Sequence, residues 1–261
     1  MFALSSRFST ASLFRDIPAK NRGAPFADQA SSIYRDFLQF IGDETPTLTH
    51  LQGLILLAYY YVTDRPDTST WLLVGMCCRI LHQLGFHLID SDITTSDPAA
   101  QPGQSTADWV ERESRRRVYW SLWEIDWFTS GLSGRPPALG LIQSQVLLPV
   151  SDDRWFSEKP LPSAPLLPGP EMAWRSLYDS PNQDERAWFL ISHSFMTLCL
   201  RMRQSSMLSV QAKSKLELGL NSFECSLPES FQLESFEAVT FDDANFVKQN
   251  WVVATLLMIQ G

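Results

Sequence analysis

Cysteine is scarce in this sequence. Cys77, Cys78, Cys199 and Cys225 are the only four in 261 residues. They are too few and too scattered for a disulfide framework or a structural zinc site, whose ligands come in closely spaced pairs. They are expected to be reduced and mostly buried. A surplus of positive charge is also missing, since 21 Lys and Arg face 29 Asp and Glu and leave a net charge of −8. A nucleic-acid grip spread over the whole chain is therefore excluded, because neutralising phosphates takes a basic footprint. A local basic patch is not. There is no secretory apolar segment, no Asn-x-Ser/Thr acceptor and no uninterrupted apolar run of membrane-spanning length, so no membrane partner is expected. Neither tandem repeats nor a convincing run of strands is visible.

What the sequence does contain is helical periodicity, and the expected fold class is all-α, a multi-helix, bundle-like arrangement. "TPTLTHLQGLILLAYYYV" offers Thr45 as a cap, Pro46 in the first turn, and Leu48, Leu51, Leu54, Ile55, Ala58, Tyr59 and Val62 at helical spacing. "TWLLVGMCCRILHQLGFH" repeats the pattern through Trp71, Leu72, Met76, Ile80 and Leu84, with Gly85 where a left-handed stop belongs. The short break between them predicts an antiparallel pair. Residues 90 to 107 read as an exposed polar connection, and the next helix is expected from about Asp108 to Ser130. The Pro-rich stretch 157–170 reads as an extended linker or surface loop. Three further helices follow, in "DERAWFLISHSFMTLCLRMRQ", "MLSVQAKSKLELGLNSF" and "FVKQNWVVATLLMIQG". The expected division is 1–156, a Pro-rich loop at 157–182, and 183–261.

The stretch "RRRVYWSLWEIDWFTSGLSGRPP" concentrates the chemistry. Glu111 lies four residues before Arg115 and Glu113 four before Arg117, the order that favours ion pairs along a helix. The acids thus answer the arginines, and a structural role is favoured over a phosphate contact. Trp120, Trp123 and Trp127 fall on one face, with Tyr119, Leu122 and Asp126 beside them. That spacing is a core pattern rather than a base-stacking platform. Asp126, set among apolar residues, needs an Arg or backbone amides, and one Arg of the run or Arg135 is the expected partner.

Other sites fail on spacing. Ser133 in "SGLSGRP" is not placed for a G-x-S-x-G nucleophile turn. His82 and His87 are five apart and diverge on a helix. Asp152/Asp153 and Asp242/Asp243 would matter in a magnesium-dependent terpenoid synthase, but the positions four residues on are Phe156 and Phe246. No Gly-rich phosphate loop is present. No active site assembles from the sequence.

Four segments in order, "LQGLILLAYYY", "GMCCRILHQLGFH", "ERESRRRVYWSLWEIDWFTSGLSGRPPAL" and "VLLPVSDDRW", resemble the fungal-specific transcription factor domain, the middle homology region of zinc binuclear cluster regulators. The motif residues are Gly75, Arg79, Gly85, His87, Arg115, Arg116, Arg117, Trp120, Asp126, Gly134, Arg135 and Pro136, with Leu148 and Pro149 before acidic residues. The resemblance is strong over residues 48 to 155. "MFALSSRFSTASLF", Ser- and Arg-rich like a transit peptide, also resembles the family's first helix, and that reading is preferred.

The resemblance implies a nuclear transcription regulator rather than an enzyme, with the motif residues organising the core. It also implies an upstream module of six cysteines that binds two zincs and reads DNA. This chain has no such cluster, so no cofactor is expected in it. DNA would be reached only through a missing module or a partner, and a homo- or heterodimer with transcription regulators is the implied association. A truncated regulator, a partial gene model or a split gene is the expectation for the chain's extent. The competing readings are an all-helical small-molecule-binding protein or enzyme, suggested by the Trp-rich interior and the Pro-rich loop, and a fragment without function of its own.

Overall fold

The computed structural model describes residues 1–40, 45–93, 105–140, 144–204, 209–231 and 246–260. Among the described residues the fold is all-α, and the one β feature is an isolated bridge between Leu147 and Pro165. The helices are α1 (Phe2–Ser5), α2 (Ala24–Phe40), α3 (Leu48–Asp64), α4 (Thr68–Gln83), α5 (Thr106–Ser133), α6 (Asp152–Phe156), α7 (Arg175–Tyr178), α8 (Glu185–Gln204), α9 (Val210–Ser226) and α10 (Phe246–Gln260). Contacts divide the chain into two compact units, Met1–Phe86 with Ser121–Gly140, and His87–Trp120 with Leu141–Gly261.

In the first unit, α3 starts two residues later than the sequence suggests. Its cap is Thr47, not Thr45. Thr47 accepts the His50 N–H on its hydroxyl and donates its own N–H to the His50 ring, each at 3.3 Å. That reciprocal pair needs an acceptor three residues after the cap, and three after Thr45 stands Leu48. Asp67 caps α4 by accepting the Thr70 N–H at 3.0 Å. The buried residues of α4 are Thr70, Val74, Cys77, Cys78, Ile80 and Leu81, so Ile80 lies inward as its spacing suggests, whereas Leu72 is 59% exposed. Apolar residues surround this helix in sequence, so periodicity does not separate Leu72 from the inward face. Gly85 does adopt the left-handed conformation expected of it, at φ +72°. A core of Ala3, Ala27, Leu57 and Tyr60 joins α1, α2 and α3. The expected first helix is only the short α1 followed by 3-10 turns at Ser6–Phe8 and Ser12–Phe14, and α2 was not foreseen.

In the second unit, α8 is central. Trp188 and Phe195 on α8 pack against Phe223 of α9, with ring centroids 6.0 and 5.2 Å apart, and Phe189 stacks near Trp251 of α10 at 4.9 Å. Ser192, Ser194 and Thr197 are buried on α8, and each donates its hydroxyl to a carbonyl three residues back. Their polarity is thereby satisfied within the helix. The Pro-rich segment 157–170 forms no helix and begins and ends in turns, but Ser163 and Ala164 are buried and Leu148 donates its N–H to the Ala164 carbonyl at 2.8 Å. Cys77 and Cys78 are buried, whereas Cys199 and Cys225 are exposed, contrary to the expectation that most would be buried. Residues 94–104 of the expected polar connection and the Asp242/Asp243 pair lie outside the described residues.

Candidate functional site

Helix α5 carries the site. Ser105 and Asp108 cap it reciprocally: the Asp108 N–H donates to the Ser105 hydroxyl at 3.1 Å and the Ser105 N–H to the Asp108 carboxylate at 3.3 Å. One turn on from Ser105, one buried stripe begins and runs through Trp109, Glu113, Arg116, Trp120, Trp123 and Trp127, all 4% exposed or less. The alternation of four- and three-residue steps keeps these side chains on one face. Half of that stripe is the tryptophan pattern seen in the sequence. The other half places two charges in the interior.

In the second unit those charges are neutralised by specific partners. Arg116 holds the buried Asp90 carboxylate through Nε at 3.2 and 2.9 Å and Nη2 at 2.6 Å, a forked pairing that only a guanidinium makes. Its Nη1 lies 3.4 Å from Glu113. Glu113 also accepts the Val150 N–H at 2.9 Å and the Arg117 Nε at 3.3 Å. Burial nevertheless pushes the Glu113 carboxyl up, against the downward pull of Arg116 and Arg117. Asp90 accepts the Leu147 N–H at 2.8 Å, and the Trp120 indole donates to the Leu147 carbonyl at 2.8 Å. Arg117 reaches Asp152 and the Val150 carbonyl and lies 4.4 Å from the Trp155 ring centroid. Arg112 pairs with Asp92 at 2.7 Å, whereas Arg115, the outermost of the run, pairs along the helix with Glu111. The chain near His87 is tied in by its backbone: the His87 carbonyl accepts the Gln145 N–H at 2.7 Å, and Asp90 donates its N–H to the Gln145 carbonyl at 2.9 Å.

In the first unit the same helix carries Asp126, whose partner is not an arginine. The Asp126 carboxylate accepts the backbone N–H groups of Ala138 and Leu139, each at 2.7 Å. Arg135 turns instead to α4, donating to the Thr68 hydroxyl at 2.8 Å and lying 5.1 Å from the Trp71 ring centroid. The reason is the turn itself. Gly134 takes φ +66° and Arg135 donates its N–H to the Ser130 carbonyl at 3.0 Å, closing the helix in a Schellman arrangement that aims Arg135 away. Pro136 and Pro137 have no N–H, so the first free donors after the turn are Ala138 and Leu139. Trp127 then donates its indole N–H to the Leu139 carbonyl at 3.1 Å. Burial pushes the Asp126 carboxyl up to about 6, with both amide bonds pulling the other way.

The motif residues thus separate into two groups. Asp126, Gly134, Arg135 and Pro136 shape the end of α5, while Arg115, Arg116, Arg117, Trp120 and the His87 backbone belong to the carboxylate network. Gly75 and Arg79 join neither through any bond described: Arg79 is exposed and donates to the Gly75 carbonyl of its own helix at 3.1 Å. Sequence reasoning missed Asp90, Asp92, Arg112 and Glu113's second role. The available signal was that Glu113 and Arg116 continue the tryptophan stripe. In chemistry this arrangement fixes backbone and charge. Three arginines, Arg112, Arg116 and Arg117, face four carboxylates, Asp90, Asp92, Glu113 and Asp152. Among the described residues no group of three or more His, Cys, Asp or Glu could hold a metal ion.

Residues 1–160 match the family described as the fungal specific transcription factor domain. The chain belongs to that family. The fungal specific transcription factor domain so matched contains every motif residue of both groups. Relatives similar to this chain include a transcriptional regulatory protein of Schizosaccharomyces pombe, 32% identical over 48% of this chain and 20% of that protein. An agnestins biosynthesis cluster transcription factor of Paecilomyces divaricatus is 34% identical over 51% of this chain and 19% of its own length. A pigment biosynthesis transcriptional activator of Monascus ruber is 27% identical over 54% of this chain and 27% of its own. The chain spans about a fifth of the length of the first of these relatives. No solved structure matches the chain.

Proposed function

We propose that this chain is the regulatory region of a fungal zinc-cluster-type regulator of RNA polymerase II transcription, acting in the nucleus and without catalytic activity. The observation that carries the reading is the family match over residues 1–160, which spans the whole α5 constellation. Support for regulation rather than DNA reading comes from the arginines. The two innermost of the run are engaged by Asp90, Glu113 and Asp152, and the outermost by Glu111. With four cysteines the chain cannot supply the six thiolates of a binuclear zinc cluster. DNA is reached through such a module outside residues 1–261 or through a homo- or heterodimeric partner.

The test is to tether residues 1–261 to a heterologous DNA-binding domain upstream of a reporter in a fungal cell, beside a fluorescent fusion. The expected result is nuclear signal and reporter output that differs from the tether alone. Output equal to the tether alone, at matched protein level, overturns the reading.

A further inference from the structure

The turn between α7 and α8 in the second unit carries a hydroxyl that the α5 network does not use. The sequence contains two Ser/Thr-Pro dipeptides, Thr45-Pro46 and Ser180-Pro181. Thr45 is exposed but Pro46 is buried, so that proline is not available to a second protein. Pro181 is exposed and Ser180 half-buried, with exposed Tyr178, Asp179 and Gln183 around them. A residue before proline is disfavoured in helical backbone, and Ser180 lies outside both helices, past the end of α7 at Tyr178 and before the start of α8 at Glu185.

The bonds beneath this turn give a modification there a structural consequence. The Ser180 hydroxyl accepts the Asn182 N–H at 3.2 Å. Asn182 is 1% exposed, and its side chain joins three segments. Its amide donates to the Pro149 carbonyl at 2.9 Å and to the Ser163 hydroxyl at 2.8 Å, and its carbonyl oxygen accepts the Asp184 N–H at 3.3 Å. Ser163 in turn donates to the Leu148 carbonyl at 2.6 Å. This clamp fastens the Pro-rich segment and the start of α8 to chain 147–150, whose Leu147 and Val150 N–H groups serve Asp90 and Glu113. The surroundings are already acidic. Asp179 precedes Ser180, and burial, with Glu185 and Asp152 adding to it, pushes the Asp184 carboxyl up to about 6. Arg175 and Arg186, the nearest cations in sequence, lie 5.7 and 4.8 Å from the Trp174 and Trp251 ring centroids.

We propose that Ser180 is a phosphorylation site for a proline-directed Ser/Thr kinase, and that the phosphate unfastens the Asn182 clamp. The kinase transfers the γ-phosphoryl group of ATP to the Ser180 Oγ. The bond to the β-phosphate oxygen breaks and releases ADP, the Oγ–P bond forms, and the hydroxyl proton passes to a base of the kinase. The product carries about two negative charges on the hydroxyl that held the Asn182 N–H, close in sequence to Asp179, Asp184 and Glu185, so like-charge repulsion opposes the closed turn. The start of α8 is already served by a carboxylate, since Asp184 accepts the Arg186 N–H at 3.1 Å. The inference stands on the geometry of the second unit and does not depend on the regulatory reading.

The experiment incubates residues 1–261 with a purified proline-directed kinase and MgATP, beside a peptide of residues 174–187. Mass spectrometry reads the modified residue and hydrogen exchange reads the backbone. Phosphate is expected at Ser180 in both chain and peptide, with none at Thr45 and none at this turn in Ser180→Ala. Exchange over residues 145–150 and 161–166 should rise by about tenfold or more in the phosphorylated chain. Asn182→Ala should raise it in the same segments without phosphate. A chain left unmodified while the peptide is phosphorylated, a peptide that is not a substrate, or equal modification at Thr45 overturns the site. Phosphate at Ser180 with unchanged exchange, or Asn182→Ala without the rise, overturns the clamp.

Discussion

Arg116 and Asp90, 26 residues apart in sequence and each about 2% exposed in the side chain, are joined by three hydrogen bonds between guanidinium and carboxylate. An isolated buried charge is far costlier than the pair is favourable. Asp90→Ala is therefore expected to destabilise the second unit by about 3–5 kcal/mol. With Arg116→Met the double variant should lose less than the sum of the singles, by about 0.5–3 kcal/mol in a urea-unfolding cycle. Additive losses would show that the pairing contributes nothing specific.

Asp126 separates charge from hydrogen bonding. Asp126→Leu leaves the N–H groups of Ala138 and Leu139 without their acceptor, and a loss of about 2–5 kcal/mol is expected at neutral pH. Asp126→Asn keeps an acceptor and should lose far less. Equal melting of the wild type and the Leu variant would refute the assignment of those two amide bonds.

The pH dependence follows from the same carboxyl. Folding raises it from 3.8 to about 6 by burial, so the folded chain binds this proton more tightly than the unfolded chain. Its contribution to stability is fully present below about pH 4 and is lost as pH rises through about 6, roughly 3 kcal/mol in all. Measured against Asp126→Asn, the wild type should therefore fall behind between pH 4 and pH 7. A constant difference over that range contradicts the burial argument.

Gly134→Ala tests the turn. At φ +66° an L side chain is strained by about 1–2 kcal/mol, and Gly134→Asn should recover part of the loss. A thermal melt that ranks Ala level with Gly would mean that the turn relaxes without the left-handed residue.

DNA binding by residues 1–261 alone should be weak and should fall steeply with salt, because the chain has net charge −8 and its α5 arginines are paired. Tight, sequence-selective binding in a mobility-shift assay at physiological salt would overturn this.

Local sequence determined the helices whose signals lie within a few residues. The α8, α9 and α10 segments were legible from apolar spacing, and the Gly85 stop from its position after α4. The Glu111–Arg115 and Glu113–Arg117 pairs were fixed by the four-residue repeat of a helix. The burial of Trp120, Trp123 and Trp127 was equally readable, since steps of three and four residues place these apolar side chains on one helix face. Tertiary structure decided what depends on chain returning from a distance. Asp90 looked like part of a polar connection until Arg116 and the Leu147 N–H enclosed it. Asp126 looked like half of a salt bridge, but the Gly134 turn sends Arg135 toward Thr68 and brings two amides in its place. Periodicity says which face of a helix is apolar. It does not say which backbone will come to meet a buried charge, because that is set by the turn geometry of another segment.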